Sequence, residues 1–329
     1  MQHKGGPRLL VTDRESAVFL ERARIHVEGE RVVYHITDDE NRREYNIPHV
    51  NLAVLFMGQG TSISQDAMRL LGDEGVHVAV TGTGGTPLHM GALTTYSGTR
   101  HFREILPIYL STEKSVLAAK ALMRDRTTRM QKLGGASAQR WLKVRDTSSL
   151  TRLCSRFETS MRGCDDITQL LGFEGQFSKA CYAEFSRLSG LAKTHEFRRE
   201  AGIDAGDSGA AAPVRLVNQL IDHGNYLCYG MAGAALWALG IPPHMSVFHG
   251  KTRAGGLVFD LADSFKDALV LPFAFAAVLE RSADDPQKLF RARLISAFND
   301  QKILKEAIGS VERMILDASP DLQVERSDA

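Results

Sequence analysis

The chain has 329 residues, 43% of them hydrophobic, so it is long enough for two domains and apolar enough to give each one a core. Its 40 Lys and Arg side chains against 39 Asp and Glu side chains leave a net charge of +1, so bulk charge gives no argument for nucleic-acid binding and only its distribution can. Four cysteines without CxxC spacing exclude a zinc finger and indicate reduced, partly buried thiols.

The N-terminal residues lack the apolar stretch of a signal peptide. The most apolar run, residues 268–279, contains Pro272 and is too short to span a bilayer, which is typical of a core helix. We therefore expect a soluble, cytoplasmic protein that has no membrane partner.

The first part of the chain has the patterns of a β-rich domain, which we assign to residues 1–95. Alternating residues on both sides of Gly29 and Glu30 predict a hairpin, and its free edge is a candidate surface for a homodimer contact. A short helix is predicted over residues 64–71, and the glycine-rich residues 81–87 lack P-loop spacing and are interpreted as a turn near the domain boundary. The predicted strands are 22–27, 31–36, 44–47, 54–57 and 76–80.

From about Arg100 the apolar residues recur with a helical period. This predicts a larger all-α domain over residues 96–329 and makes the fold class α+β, with a small β-rich domain followed by a helical catalytic one. The predicted helices are 100–110, 113–133, 149–161, 165–188, 215–239, 261–280 and 286–316.

Positive charge is concentrated between Lys114 and Arg145, where nine cations stand against one acid, Asp125. Helical spacing puts Lys120 and Arg124 on a common face, and likewise Arg126 and Arg129. A solvated helix face would explain these residues without any ligand. A track of phosphate contacts becomes the better interpretation if an acidic metal site lies nearby.

Residues 249–263 (HGKTRAGGLVFDLAD) are the most informative segment of the sequence. Asp260 and Asp263 are three residues apart and share a helix face, so with His249 they can offer ligands to Mg²⁺ or Mn²⁺. Lys251 and Arg253 beside them suit a phosphodiester. The alternative is a surface histidine near a solvated acidic face, but carboxylates within an apolar run are costly unless they are paired or bind a metal.

Three motifs make this sequence similar to the Cas1 family of CRISPR-associated adaptation integrases, with the subtype I-F branch as the best match. They are residues 222–230 (DHGNYLCYG), the 249–263 segment, and residues 170–175 (LLGFEG). The resemblance implies a metal site formed by Glu174, His249 and Asp263. Glu184 is the alternative to Glu174, while Asp260 is an extra ligand, a partner of a ligand or a helix cap.

The resemblance also implies a metal-dependent DNA endonuclease that inserts short spacer DNA into the CRISPR array, with a DNA 3′-hydroxyl as the attacking group. It implies a homodimer that works with Cas2, which in subtype I-F is fused to the Cas3 helicase-nuclease, on double-stranded DNA. Asn225 and Tyr226 are expected to begin an apolar helix as an N-cap and a packed ring. Because the resemblance places this helix beside the metal, support of the metal ligands is the alternative role for both. Two alternatives stay open: a stand-alone DNA or RNA nuclease, and a non-catalytic nucleic-acid scaffold whose acids pair with Lys251, Arg253 and Lys266.

Overall fold

The computed structural model describes residues 14–37, 43–81, 87–90, 98–200, 210–250, 255–280 and 285–322. Strands and one helix come first, and every element after residue 98 in these ranges is helical, which confirms the α+β class. The strands are β1 (Glu15–Leu20), β2 (Ala23–Glu28), β3 (Arg31–Ile36), β4 (Glu44–Asn46), β5 (Leu52–Met57), β6 (Ser62–Ile63), β7 (His77–Thr81) and β8 (Pro87–Met90). The helices are α1 (Gln65–Asp73), α2 (Arg100–Leu110), α3 (Thr112–Arg129), α4 (Gly135–Trp141), α5 (Ser148–Arg162), α6 (Ile167–Leu188), α7 (Ala212–Ala238), α8 (Gly256–Asp263), α9 (Lys266–Ala276), α10 (Pro286–Asp300) and α11 (Ile303–Ala318).

The eight strands form two four-stranded sheets. One has the order β1-β5-β7-β8, with parallel pairing between β1, β5 and β7. All six residues of β5 are buried, as expected for a parallel strand that is covered on both faces. The other sheet has the order β4-β3-β2-β6 and contains the predicted hairpin.

The hairpin itself does not offer the free edge that the sequence suggested for a dimer contact. Its strands β2 and β3 pair with β6 and β4 on their outer sides, so β4 and β6 are the edges of this sheet. Alternation does not reveal this pairing, because β6 has only two residues and β4 only three.

The first sheet packs directly on the helices. Leu55 and Met57 of β5 belong to the core between the sheets, whereas Val54 and Phe56 belong to the core of the helical part. The Phe56 ring lies over Gly230 of α7, where a Cβ atom would come within 2.2 Å of it, so only glycine allows this approach. The proposed boundary at residue 95 lies outside the described residues, and the division into two domains stays a prediction.

Two predicted helices are each divided in the structure. The 261–280 segment breaks at Ser264, and the 286–316 segment breaks at Lys302, which has a positive φ of 48°. At the first break, Arg129 donates from Nη1 to the backbone oxygen of Ser264 at 3.2 Å. That bond satisfies a carbonyl at the end of α8, so a distant side chain stabilises a break that local periodicity does not reveal.

None of the helices in the described part of the chain has the length and the apolar composition that a bilayer crossing requires. The four cysteines are free and buried, as their positions in the sequence predicted. The glycine-rich residues 82–86 and the cations Lys251 and Arg253 lie outside the described residues.

Candidate metal centre

Asp260 holds the loop that carries His249. This carboxylate is completely buried in α8 and accepts hydrogen bonds from the backbone N–H groups of Val247, Phe248 and His249 at 2.8, 3.0 and 3.1 Å. The Ser246 hydroxyl donates to it at 2.9 Å, and Nδ1 of His249 lies 2.7 Å from Oδ1. Because Nδ1 donates to this carboxylate, the ring offers Nε2 as its free nitrogen. An imidazole fixed through its other nitrogen by a carboxylate is the usual arrangement of a metal-binding histidine.

Asp263 faces that free nitrogen from the same helix. Its Oδ2 lies 3.5 Å from Nε2 of His249, while its Oδ1 accepts from the ammonium of the half-buried Lys266. Burial alone would lower the pKa of Lys266, but Asp263, with smaller contributions from Tyr229 and Asp267, raises it above its ordinary value. Lys266 therefore stays charged and compensates one buried carboxylate.

Glu174 lies on α6 and is held by two side chains. Arg126 donates from Nη1 to Oε1 at 2.6 Å, and the hydroxyl of Ser178, one turn later, donates to the same oxygen at 2.7 Å. Burial would raise the pKa of Glu174, but the charge and hydrogen bond of Arg126 outweigh burial and lower the pKa to about 2. The side chain is thus an anion at neutral pH, as a metal ligand must be.

Arg126 connects the two halves of the site. Its Nε also donates to Asp267 at 3.0 Å, next to Lys266, and its charge acts on Asp263. Four carboxylates therefore share two cations, which leaves two negative charges uncompensated when His249 is neutral. One divalent cation would balance this charge, so the residues present suit such an ion. The carboxylates are Glu174, Asp260, Asp263 and Asp267.

The three predicted ligands belong to one network of charged side chains, but their ligand atoms do not converge on a single point. Within the described residues, the single trio of His, Cys, Asp or Glu ligand atoms that lies within 4.8 Å is elsewhere in the chain. Because Nε2 of His249 and Oδ2 of Asp263 are 3.5 Å apart, Glu174 is the predicted ligand that lies too far from the other two to complete the site. Its oxygen is engaged with Arg126, so binding an ion would require the carboxylate to share or rotate away from that contact.

The prediction that Arg126 and Arg129 contact DNA phosphates is wrong. Both are buried, at 2% and 6% exposure, because Arg126 pairs with carboxylates and Arg129 bonds to Ser264, Glu306 and Ser310. Arg124 is half-exposed but pairs with Asp317, and Lys120 lies 3.7 Å from Asp165. The two faces therefore do not form one continuous phosphate track.

Glu184 lies outside this network. It accepts from Arg187 at 2.6 Å and from Ser149, and these same groups account for its lowered pKa once they have outweighed burial. The network of charged side chains around Asp263 instead includes Glu174, because Glu174 interacts with both Arg126 and Lys266.

Asn225 and Tyr226 do not begin a helix as predicted. They lie in the middle of α7, which starts at Ala212 with a proline in its first turn. The centroids of the Tyr226 and Tyr229 rings are 5.9 Å apart, and Tyr229 contributes electrostatically to the raised pKa of Lys266. Tyr226 is therefore linked to the acidic side chains only through Tyr229.

The sequence interpretation missed several side chains that shape the site. Lys266 entered it only as a possible salt-bridge partner, and the others were given no role at the site. Ser178 follows Glu174 by one turn of α6, so i to i+4 spacing could have found it. Asp267 follows Asp263 by four residues, but the helix breaks at Ser264 between them, so helical spacing does not relate the two. Nothing local marks the pairing of Arg126 with α6 and α9. The missed residues are Ser178, Tyr229, Ser246 and Asp267.

Asp260→Asn is expected to lower the pKa of His249. Burial alone would lower that pKa, but the hydrogen bond to Asp260 and the charges of Asp263 and Asp260 raise it above its usual value. The amide also presents N–H donors to backbone N–H groups, which should destabilise the fold by about 1–3 kcal/mol. An NMR titration of the metal-free protein measures the pKa, with its other histidines as internal references. An unchanged His249 pKa would show that Asp260 does not hold the ring.

Sequence comparisons with a family model and with individual proteins both relate this chain to Cas1 proteins. The family model described as "CRISPR associated protein Cas1" matches residues 17–312. Two proteins named CRISPR-associated endonuclease Cas1 are similar along nearly the whole chain. The one from Pectobacterium atrosepticum is 34% identical and covers 92% of this chain and 93% of its own, and the one from Pseudomonas aeruginosa is 35% identical and covers 87% and 88%.

The fold is shared with solved structures at lower identity. A chain of a TtCas1–DNA complex has a TM-score of 0.65 at 24% identity, with 90% of each chain covered. A chain of a Cas6-RT-Cas1–Cas2 complex has a TM-score of 0.63 at 13% identity, over 94% of this chain and 35% of that one. At these identities the likeness concerns the fold alone.

Proposed function

Because this chain belongs to the Cas1 family of CRISPR-associated proteins, we propose that it is a metal-dependent DNA endonuclease and integrase of CRISPR adaptation. The observation that carries the proposal is the pair of the half-buried His249 with the buried Asp260, which presents one imidazole nitrogen to Asp263 beside a cluster with two unbalanced negative charges. The reaction is the insertion of short spacer DNA: a DNA 3′-hydroxyl attacks a phosphodiester of the target strand, a new P–O bond forms, and the bond from that phosphorus to the target's own 3′-oxygen breaks, which leaves a 3′-hydroxyl. Hydrolysis is the same displacement with water as the attacking group.

Glu174, His249 and Asp263 would hold the ion, and we propose Mg²⁺ or Mn²⁺ because two of the three ligands are carboxylates. When bound, a divalent ion polarises the phosphoryl group and orients the attacking oxygen. The protein positions the side chains that would bind the ion. Asp260 keeps a proton on Nδ1 of His249, so that Nε2 is the atom available for binding.

The buried Arg126 and the half-buried Lys266 hold the ligand carboxylates in place and offset the repulsion between them. Neither side chain is free to follow a substrate, since both are enclosed by the carboxylates they compensate. We propose that their role is to keep Glu174 and Asp263 charged and in place.

For contact with the DNA backbone we propose Lys251 and Arg253, which follow His249 closely in the sequence. Lys120 and Arg124 are weaker candidates because each has a carboxylate near it, Asp165 and Asp317, that a phosphate would have to displace. Double-stranded DNA is the proposed substrate.

The proposed partners are a second copy of the chain and Cas2, which would be fused to Cas3 if the chain belongs to the subtype I-F branch. Membership in the Cas1 family supports Cas2, as does the fold shared with a chain of a Cas1–Cas2 complex. The homodimer is proposed at the β-rich part, where Tyr45 of the edge strand β4 and the nearby Val50 are 42% and 51% exposed. The proposed location is the cytoplasm.

A strand-transfer assay tests the proposal. Full-length protein, with and without the Cas2 partner, is mixed with a short duplex and a plasmid that carries a CRISPR array, in Mg²⁺, Mn²⁺ or chelator. We expect covalent joining that needs the partner and a divalent ion. Cleavage without joining would favour the stand-alone nuclease, and DNA binding without either reaction would favour the scaffold.

A further inference from the structure

Three potential metal ligands lie on one face of the β4-β3-β2-β6 sheet, in the β-rich part of the chain. His35 on β3 is directly opposite Glu44 on β4, and His26 on β2 is directly opposite Val33, two residues before His35. Residues opposite each other, or separated by two along a strand, share a face. His26, His35 and Glu44 therefore project from three adjacent strands on the same side.

The opposite side of the same strands forms the core, which explains why these polar residues are on the outside. Ile25, Val32 and Tyr34, which alternate with them, belong to the apolar cluster between the sheets. The two histidines are half-buried and Glu44 is exposed. The sheet pairing thus fixes the backbone positions of all three side chains while solvent can reach them.

The ligand atoms of the three side chains are already close together. One nitrogen of each histidine and one oxygen of Glu44 lie within 4.8 Å of one another, and no other group of three does so in the part of the chain that the structure describes. Nε2 of His26 is 3.2 Å from Oε1 of Glu44, and the two imidazole centroids are 5.8 Å apart. An ion with bonds of about 2.0–2.2 Å to each ligand could bind with only small side-chain movements.

We propose that His26, His35 and Glu44 bind one zinc-class divalent ion. Two imidazoles and one carboxylate are the ligand set that zinc takes when a fourth position is left to water, whereas Mg²⁺ prefers oxygen ligands. This metal site is separate from the one at His249 and does not depend on the proposed function. Its ligands come from three neighbouring strands, so the bound ion connects the three-residue edge strand β4 to β2 across β3.

Zinc binding to full-length, metal-free His249→Gln protein tests the proposal, because this background removes the imidazole of the other site. Zn²⁺ is titrated against a competing chromophoric chelator. We expect about one Zn²⁺ per chain, and more than about a 100-fold loss of affinity when His26→Gln and His35→Gln are added, since changes in the surroundings of a ligand alone cost about 10–100-fold. His49→Gln is the matched control, because this histidine lies in the same part of the chain but its ring bonds to the backbone oxygen of Ile47.

Two further readouts apply even if the double variant folds poorly. X-ray absorption of zinc-loaded His249→Gln protein should show two imidazole ligands with oxygen as the remainder, and its melting temperature should rise with Zn²⁺ concentration by mass action. The proposal is overturned if the His249→Gln protein binds no Zn²⁺, if fewer than two imidazoles coordinate it, or if the double variant binds it as tightly as its parent.

Discussion

Glu174→Gln, His249→Gln and Asp263→Asn are each expected to lower DNA cleavage and strand transfer by about 10³-fold or more. Loss of one hydrogen-bond donor at a reacting oxygen already costs about 10²–10³-fold, and loss of a metal ligand removes both the polarisation and the positioning that the ion supplies. The amide variants keep the size of the side chain. In particular, the amide oxygen introduced by Glu174→Gln would still accept from Arg126 and Ser178, which hold the native carboxylate.

DNA binding by these variants should persist when it is measured by fluorescence anisotropy in chelator, because phosphate contacts made elsewhere supply that affinity. Calorimetric titration with Mn²⁺ should show the loss of one ion site. Glu184→Gln is the control on the same helix, since Glu184 bonds to Arg187 and Ser149 instead of the acidic cluster. An inactive Glu184→Gln with an active Glu174→Gln would overturn the choice of glutamate, and activity in all three variants would overturn the metal centre.

The sequence predicted the chemistry of the candidate site better than it predicted the surroundings. His249, Asp260 and Asp263 lie in one short segment, so local spacing was enough to group them, and the structure places them within hydrogen-bonding or near-contact distance. Sequence spacing left three roles open for Asp260. The structure shows its carboxylate accepting backbone N–H groups that no residue pattern specifies.

Arg126 and Arg129 show where charge counting is insufficient. Both lie on the buried side of α3, and Arg126 follows Leu122 and Met123 at the spacing of a core face. That spacing was a signal that Arg126 faces the interior. Its partners Glu174 and Asp267 are 48 and 141 residues away, and such long-range pairing is set by tertiary packing alone.

The β-rich part shows a similar division. The hairpin of β2 and β3 was predictable because its turn and alternation are local, whereas the parallel pairing of β1 with β5 joins residues such as Ala17 and Val54. Parallel pairs need long connections, so local patterns do not specify their register. The predicted segments correspond to β2, β3, β4, β5 and β7, and the strands that were missed are β1, β6 and β8.

Arg126→Met is expected to destabilise the protein by about 3–5 kcal/mol, because removal of one partner leaves buried charges uncompensated. The guanidinium is 2% exposed and bonds to Glu174, Asp267 and Ser178, and the nearby cation Lys266 is itself paired with Asp263. Urea unfolding at neutral pH measures the change. Arg124→Met is the matched control two residues away, where the pair with Asp317 is half-exposed and is worth about 0–1 kcal/mol.

The pH dependence of that difference identifies the Glu174 contact. The pKa of Glu174 falls from 4.5 to about 2 because Arg126 outweighs burial, so this contribution to stability is fully present above pH 4.5 and is lost as the pH falls toward 2. In Arg126→Met, burial is no longer opposed by Arg126 and the glutamate should protonate at a higher pH. The difference in stability between the two proteins should therefore begin to narrow as the pH falls to the raised pKa of Glu174 in the variant, and should keep narrowing as the pH falls toward 2. A difference that is small at neutral pH, or that does not narrow on acidification, would show that Arg126 does not hold Glu174 as an anion.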